Sequence, residues 1–309
     1  MASSTPSPNG ILLVDKPQGF TSHDAVARVR RSAGTRKVGH AGTLDPMATG
    51  LLIMGLGAST RLLTFIVGLS KEYIATIRLG SSSTTDDAEG ELLGHAPAAQ
   101  LQLVSEDAIA AGILTLTGDI EQVPSTFSAI KVDGKRAYDL ARSGEQVELK
   151  SRAVSIYAFE ILTVVRGEVD GHGFIDIDVR VECSSGTYIR ALARDLGFKL
   201  GVGGHLTALR RTRIGNFHVQ DAVTIEQLES APVLMTPADV ARGIFPAINL
   251  NETQALELSQ GKKVRLDGYP DSADPVAAIG PEDRLVGLIT VKKQLSRVVV
   301  NFPAETESS

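Results

Sequence analysis

The stretch Phe174–Cys183, FIDIDVRVEC, constrains the fold more tightly than any other part of the chain. Ile175, Ile177, Val179, Val181 and Cys183 fall on one side, and Asp176, Asp178, Arg180 and Glu182 on the other. That is the period of a strand with one face in a core and one in water. The next residues, SSGTYIRALARDLGFKLG, turn through Ser184–Gly186 into an amphipathic helix with Ile189, Leu192, Leu196 and Leu200 on one face. Tyr188 and Arg190 stand at the strand-to-helix junction, where a mixed α/β protein tends to carry working side chains. Lys71–Leu79 alternates in the same way, with Tyr73, Ala75, Ile77 and Leu79 sharing a face. Ile11–Val14 and Val154–Val164 read as strands. Thr21 or Ser22 is placed to cap a helix with Asp24 in its first turn and Gly34 past its end. Ser105–Thr117 reads as a second capped helix. GSSSTTDDAEGE is a polar loop by composition, and the basic run GHLTALRRTRIGNF has the look of a solvated turn. Ser230–Pro246, with three prolines, marks a domain boundary. Beyond it stand one short helix and two strands, Leu285–Val291 and Ser296–Phe302.

Gly39–Gly50, GHAGTLDPMATG, gathers three glycines, one proline, one histidine and a single carboxylate, Asp45, behind a basic segment. Asp-Pro favours a turn, and Met47 onward can start a short helix beneath it. A carboxylate held at such a corner suits a nucleophile or general base, and equally a plain turn. Arg28, Arg30, Arg31, Arg36 and Lys37 deliver the chain to this corner, an approach fit for a polyanion. The net charge of −5 argues against one, but Lys+Arg and Asp+Glu number 7 and 3 over residues 1–70 and 14 and 11 over 131–215. The acidic surplus lies in 71–130 and 216–309, so a local basic surface is compatible with the total.

Several function classes are unsupported. The six histidines and the single Cys183 have no ligand-like spacing, and no phosphate-binding glycine loop, dinucleotide fingerprint or nucleophile elbow occurs. Cofactor-free nucleophilic catalysis by a carboxylate remains. One cysteine fits a reducing compartment. MASSTPSPNG lacks the charged and apolar regions of a signal peptide, and Leu51–Leu69 is interrupted by Arg61 and by Gly, Ser and Thr, so it reads as core. A cytoplasmic protein is expected, with a disordered leader over 1–10 and a frayed AETESS end.

KPQGFTSHD, GHAGTLDPMATG, KEYIATIRLG, GDIEQVPSTFSAIKVDGKRAYDLARSG, CSSGTYIRALARDLG and LRRTRIGNF, in this order across Ile11–Leu228, resemble bacterial tRNA pseudouridine synthases of the TruB family. The resemblance implies an α/β catalytic domain of α+β type around a mixed, largely antiparallel central sheet (residues 11–230). The resemblance stops before the tail: the prolines set a linker at 231–246, and residues 247–309, short and without a family motif, read as a small C-terminal β-rich, PUA-like module. The resemblance implies isomerisation of uridine 55 in the tRNA T loop to pseudouridine without metal or cofactor. Asp45 falls on the catalytic aspartate, attacking either the sugar C1′ or base C6. Arg190 matches the arginine that pairs with it, and Tyr73 the aromatic that stacks on the target base. Tyr188 and Leu209 match residues lining the uracil pocket, and His40 the histidine that fills the space left by the extruded base. Lys131 and Lys16 fall in motifs suited to structure or phosphate contact. The partner implied is the T arm and elbow of tRNA, with no obligatory protein partner; the interrupted apolar window points to no membrane, and the few aromatics to a monomer. Two rivals share these features: a tRNA-elbow folding factor in which catalysis is secondary, and the same chemistry on another uridine.

Overall fold

The computed structural model describes residues 8–125, 131–132, 135–136, 150–230 and 233–302. The side chain of Lys131, the aromatics Phe127 and Tyr138, the first seven leader residues and the AETESS end lie outside the described residues. The chain divides into two compact units, one of residues 1–45, 50–67 and 215–309, the other of 46–49 and 68–214.

In the first unit, strand Thr49–Leu56 pairs antiparallel with Gly10–Lys16, Leu52 facing Val14, and with Val38–Ala41, Met54 facing His40. Gly10–Lys16 pairs in parallel with the short Val223–Thr224, and the expectation of a helix after Met47 is thereby corrected. Leu51, Leu52, Ile53 and Met54 are wholly buried, so both faces of this strand are in core. An apolar run with no alternation reads alike as buried strand or buried helix. The partners on both sides decide for strand, and Gly50, with φ of +100°, eases the entry. Helix Ser22–Ser32 starts at the expected cap. Thr21 and Asp24 bond reciprocally across the first turn, and Ala25, Val26 and Val29 face inward.

The unit's later part is β-rich, as expected. Strands Ala247–Asn249, Ser272–Gly280, Arg284–Lys292 and Leu295–Asn301 form a four-stranded sheet in that order. Helix Glu252–Ser259 closes a small core of Ile248, Ala255, Leu258, Val276, Val286 and Ile289. The proline-rich stretch before it holds helix Pro237–Ile244, capped by Thr236.

The second unit is an antiparallel sheet in the order Gly204–Ile214, Lys71–Leu79, His172–Cys183, Arg152–Val169, Gly118–Gln122. Lys71–Leu79 is central, and every second residue of it is buried, as its alternation predicts. The outward face is tied by ion pairs between strands. Arg78 grips Asp176 through two bonds of 2.6 and 2.7 Å, and Arg180 spans Glu72 and Glu160. The solvated turn expected at GHLTALRRTRIGNF is instead strand Gly204–Ile214. Its pairing with Lys71–Leu79 shifts register between Leu206 and Ala208 and again between Arg211 and Arg213. Two bulges break the alternation that would have marked it as a strand. Helix Ile189–Lys199 buries Ile189, Leu192 and Leu196 as expected. It approaches the start of that strand so closely that a Cβ on Gly197 would meet the Gly203 carbonyl carbon and the Gly204 nitrogen at 2.2 Å.

Candidate active site

Asp45 lies in the irregular loop between Val38–Ala41 and Thr49–Leu56, and its side chain is half-buried. The loop is fixed on both sides of it. Gly42 turns with φ of +85°. Leu44 is buried, and the buried Ser22 hydroxyl donates to its carbonyl at 3.1 Å and accepts from its N–H at 2.9 Å. On the other side Met47 and Ala48 are buried. The aspartate therefore stands between anchored neighbours, the arrangement a pre-positioned nucleophile needs. His40 belongs to the same hairpin, at the end of the strand before the loop, half-buried and edge-on to His23 with ring centroids 6.1 Å apart. Lys16 serves structure: its buried ammonium donates to the carbonyls of Pro17 and Phe20 at 3.0 and 2.6 Å, shaping the loop before helix Ser22–Ser32.

In the second unit Tyr73 and Leu209 come together on the buried sheet face. Tyr73 is paired with Arg211, and Leu209 with Ala75, so the two are diagonal neighbours. Lys71, Arg211 and Cys183 share this face, all buried. Burial, and next the Arg211 guanidinium, pull the Lys71 ammonium down to about 8, while burial pushes the Cys183 thiol up to about 11.

Tyr188 and Arg190 sit at the start of helix Ile189–Lys199. The buried Gln122 amide holds Tyr188 by both backbone groups, accepting from its N–H at 2.8 Å and donating to its carbonyl at 3.0 Å. Arg190 is buried, and its Nη1 donates to the Thr85 carbonyl at 2.9 Å and pairs with Asp87 Oδ2 at 3.2 Å. Asp87 is itself 2% exposed, and its Oδ1 accepts from the Thr85 hydroxyl at 2.5 Å and the Glu89 N–H at 3.0 Å. A guanidinium so held presents a fixed cation, the kind of group that keeps a nearby carboxylate ionised in a dry site.

Sequence reasoning missed Gln122 and Asp87, and it offered Ser22 only as a cap, not as the clamp on Leu44. Gln122 lies within a motif already noted, GDIEQVPS, but nothing local assigns it a role. Asp87 sits in a segment whose polar composition reads as solvated loop, and its burial comes from an arginine 103 positions further on (190 − 87). Among the described residues no cluster of three or more His, Cys, Asp or Glu is arranged to hold a metal ion, and no helix is long and apolar enough to cross a membrane.

Residues 30–189 match the family model described as TruB family pseudouridylate synthase, N-terminal domain. The chain belongs to the TruB family. Residues 190–244 of this TruB-family chain match the tRNA pseudouridylate synthase B C-terminal domain, and 245–309 lie beyond both. A protein of Leifsonia xyli subsp. xyli (strain CTCB07) named tRNA pseudouridine synthase B is 58% identical over 96% of this chain and 97% of its own. Its namesake in Streptomyces coelicolor (strain ATCC BAA-471 / A3(2) / M145) is 47% identical over 98% of this chain and 100% of its own. The fold is shared with a chain of the archaeal box H/ACA sRNP Nop10-Cbf5 complex, with a TM-score of 0.68 at 25% identity, covering 98% of this chain and 89% of that one. The expected family and fold class therefore hold for this TruB-family chain: a mixed sheet system with a separate C-terminal sheet.

Proposed function

We propose that this protein is a tRNA pseudouridine synthase that converts uridine 55 of the T loop to pseudouridine, with Asp45 as nucleophile. The supporting observation is a single carboxylate on a loop anchored at Leu44 and at Met47–Ala48, in a chain of the TruB family. The reaction is an isomerisation. The Asp45 carboxylate attacks C1′ or C6 of the extruded nucleotide, the C1′–N1 bond breaks, and the uracil rotates. A C1′–C5 bond forms, the bond to Asp45 breaks and frees the carboxylate, C5 loses its proton and N1 gains one, so no atom is added overall. Extruding the base costs a few kcal/mol. His40 offsets part of this by stacking in the vacated space. Arg190 keeps the nucleophile ionised, Tyr73 stacks on the base, Tyr188 and Leu209 line its pocket, and Lys131 contacts phosphate. The substrate places the protein in the cytoplasm, acting as a monomer on the tRNA elbow, with the C-terminal module as a small PUA-like domain.

The test is pseudouridine formation on an unmodified tRNA transcript, comparing wild type with Asp45→Asn. The substitution keeps size and removes charge. Conversion of the T-loop uridine by wild type alone, with similar tRNA binding by both, is the expected result. Activity retained in Asp45→Asn overturns the nucleophile. Binding by both with conversion by neither moves the protein to the folding-factor class.

A further inference from the structure

We infer that Asp86 and Arg194 are a positioning pair that sets where the Arg190 guanidinium lies, an inference that rests on the catalytic reading above. Arg190 and Arg194 are one turn apart on helix Ile189–Lys199 and so point along the same side. Two consecutive aspartates meet them: Asp87 Oδ2 stands 3.2 Å from Arg190 Nη1, and Asp86 Oδ2 stands 3.1 Å from Arg194 Nη1. In extended chain, neighbouring side chains point to opposite sides. Both face one helix here because Asp86 takes the left-handed conformation, φ of +60°. Aspartate tolerates that conformation better than most residues, and the backbone enforces it. The Asp86 N–H donates to the Ser83 carbonyl at 3.3 Å, and its carbonyl accepts from the Leu206 N–H at 3.0 Å.

Arg194 also reaches a second support of the site. Its Nη2 donates to the Val123 carbonyl at 2.8 Å, next to the Gln122 that holds Tyr188, while its Nε donates to Asp195 at 2.9 Å. One side chain thus ties the loop carrying Asp87, the strand end carrying Gln122 and the helix carrying Arg190. The inner pair is almost fully buried, with side chains 5% and 3% exposed, whereas the outer pair is 29% and 13% exposed. The outer pair is only partly open to water, and burial of Asp86 opposes its charge while Arg194 supports it, so the pair adds little net stability. Its effect falls on register: without it, the loop loses its second attachment to the helix and the Asp87–Arg190 contact loosens.

The experiment uses full-length wild type, Arg194→Met, Asp86→Asn and the double variant. Single-turnover conversion of a tRNA transcript is read beside tRNA affinity, melting temperature and hydrogen exchange at the Glu89 amide, which donates to Asp87. Each single variant is expected to slow conversion about tenfold, as small misplacement of a catalytic group does. Affinity stays within about twofold, and melting shifts by no more than about 3 °C. The double variant is no slower than the slower single, because the two act as a unit. Arg194→Lys, which keeps charge without the planar fork, restores part of the rate. The Glu89 amide exchanges faster in both single variants. Full-rate conversion by either single variant overturns the inference, as does a loss of tRNA affinity at unchanged rate, which would make Arg194 an RNA contact. If wild type itself fails to convert tRNA, the catalytic reading falls by itself. Unchanged Glu89 exchange in the variants then overturns the positioning pair independently.

Discussion

Removing the Asp87 carboxylate tests the buried centre of the site most directly. In Asp87→Ala the Arg190 guanidinium, on a side chain 5% exposed in the wild type, loses the carboxylate 3.2 Å away. Breaking a buried pair from one side costs about 3–5 kcal/mol, because the remaining charge loses its carboxylate and gains little water in exchange. The Thr85 carbonyl still accepts from Arg190, so the lower end applies, about 3 kcal/mol. With a urea m-value of about 3 kcal/mol/M, the unfolding midpoint falls by about 1 M with m unchanged. The decisive comparison is the double variant Asp87→Ala/Arg190→Met. It removes both charges, and it is expected to be at least about 1 kcal/mol more stable than Asp87→Ala alone. The reasoning fails if Asp87→Ala costs under about 1 kcal/mol, or if the double variant loses the full sum of the single losses. Urea titrations followed by far-UV circular dichroism measure all four proteins.

Other outcomes follow from single contacts. Ser22→Ala removes both bonds to the Leu44 backbone, and should cost about 1–2 kcal/mol in chemical denaturation and slow conversion by loosening Asp45. Gly197→Ala drives a Cβ into backbone at 2.2 Å and should cost more than about 2 kcal/mol, whereas Gly243→Ala, at an exposed helix position with open space, should gain about 0.5 kcal/mol. Thermal melts of the two separate them. Lys71 falls from 10.5 unfolded to about 8 folded, so the unfolded chain holds more protons between those values and stability rises with pH there. Cys183 rises from 9.0 to about 11 and acts in the opposite sense from pH 9 upward. Wild type should therefore gain about 1 kcal/mol on Lys71→Met between pH 8 and 9, and parallel stability profiles would show that the ammonium is not desolvated.

Legibility followed local physics. Lys71–Leu79 and His172–Cys183 could be read because each has one wet face, so burial is written in alternation. Thr49–Leu56 could not, since both its faces are dry. Gly204–Ile214 was hidden by its two bulges, which put Arg211 inside the core among residues that look solvated. Caps at Thr21 and Ser105 were visible because they depend on neighbours three residues away. Asp45 was marked by its motif and by the turn chemistry around it. Asp87, Ser22 and Gln122 are defined by partners 103, 22 and 66 positions off, and no local pattern carries that information.

The pairing of the first unit also bears on the order in which the chain leaves the ribosome. Gly10–Lys16, which backs the strand following Asp45, takes its parallel partner from Val223–Thr224, and Ile11 exchanges backbone bonds with Met235. Arg61 reaches the carbonyl of Asn301. The second unit, by contrast, is one nearly continuous segment, 68–214. At synthesis rates of about 5–20 residues per second, the nascent strand behind Asp45 waits roughly 10–40 s for its last neighbours. The unit bearing Asp45 is therefore among the last parts of the nascent protein to be completed, and a chain stalled before residue 223 leaves Gly10–Lys16 without its parallel partner.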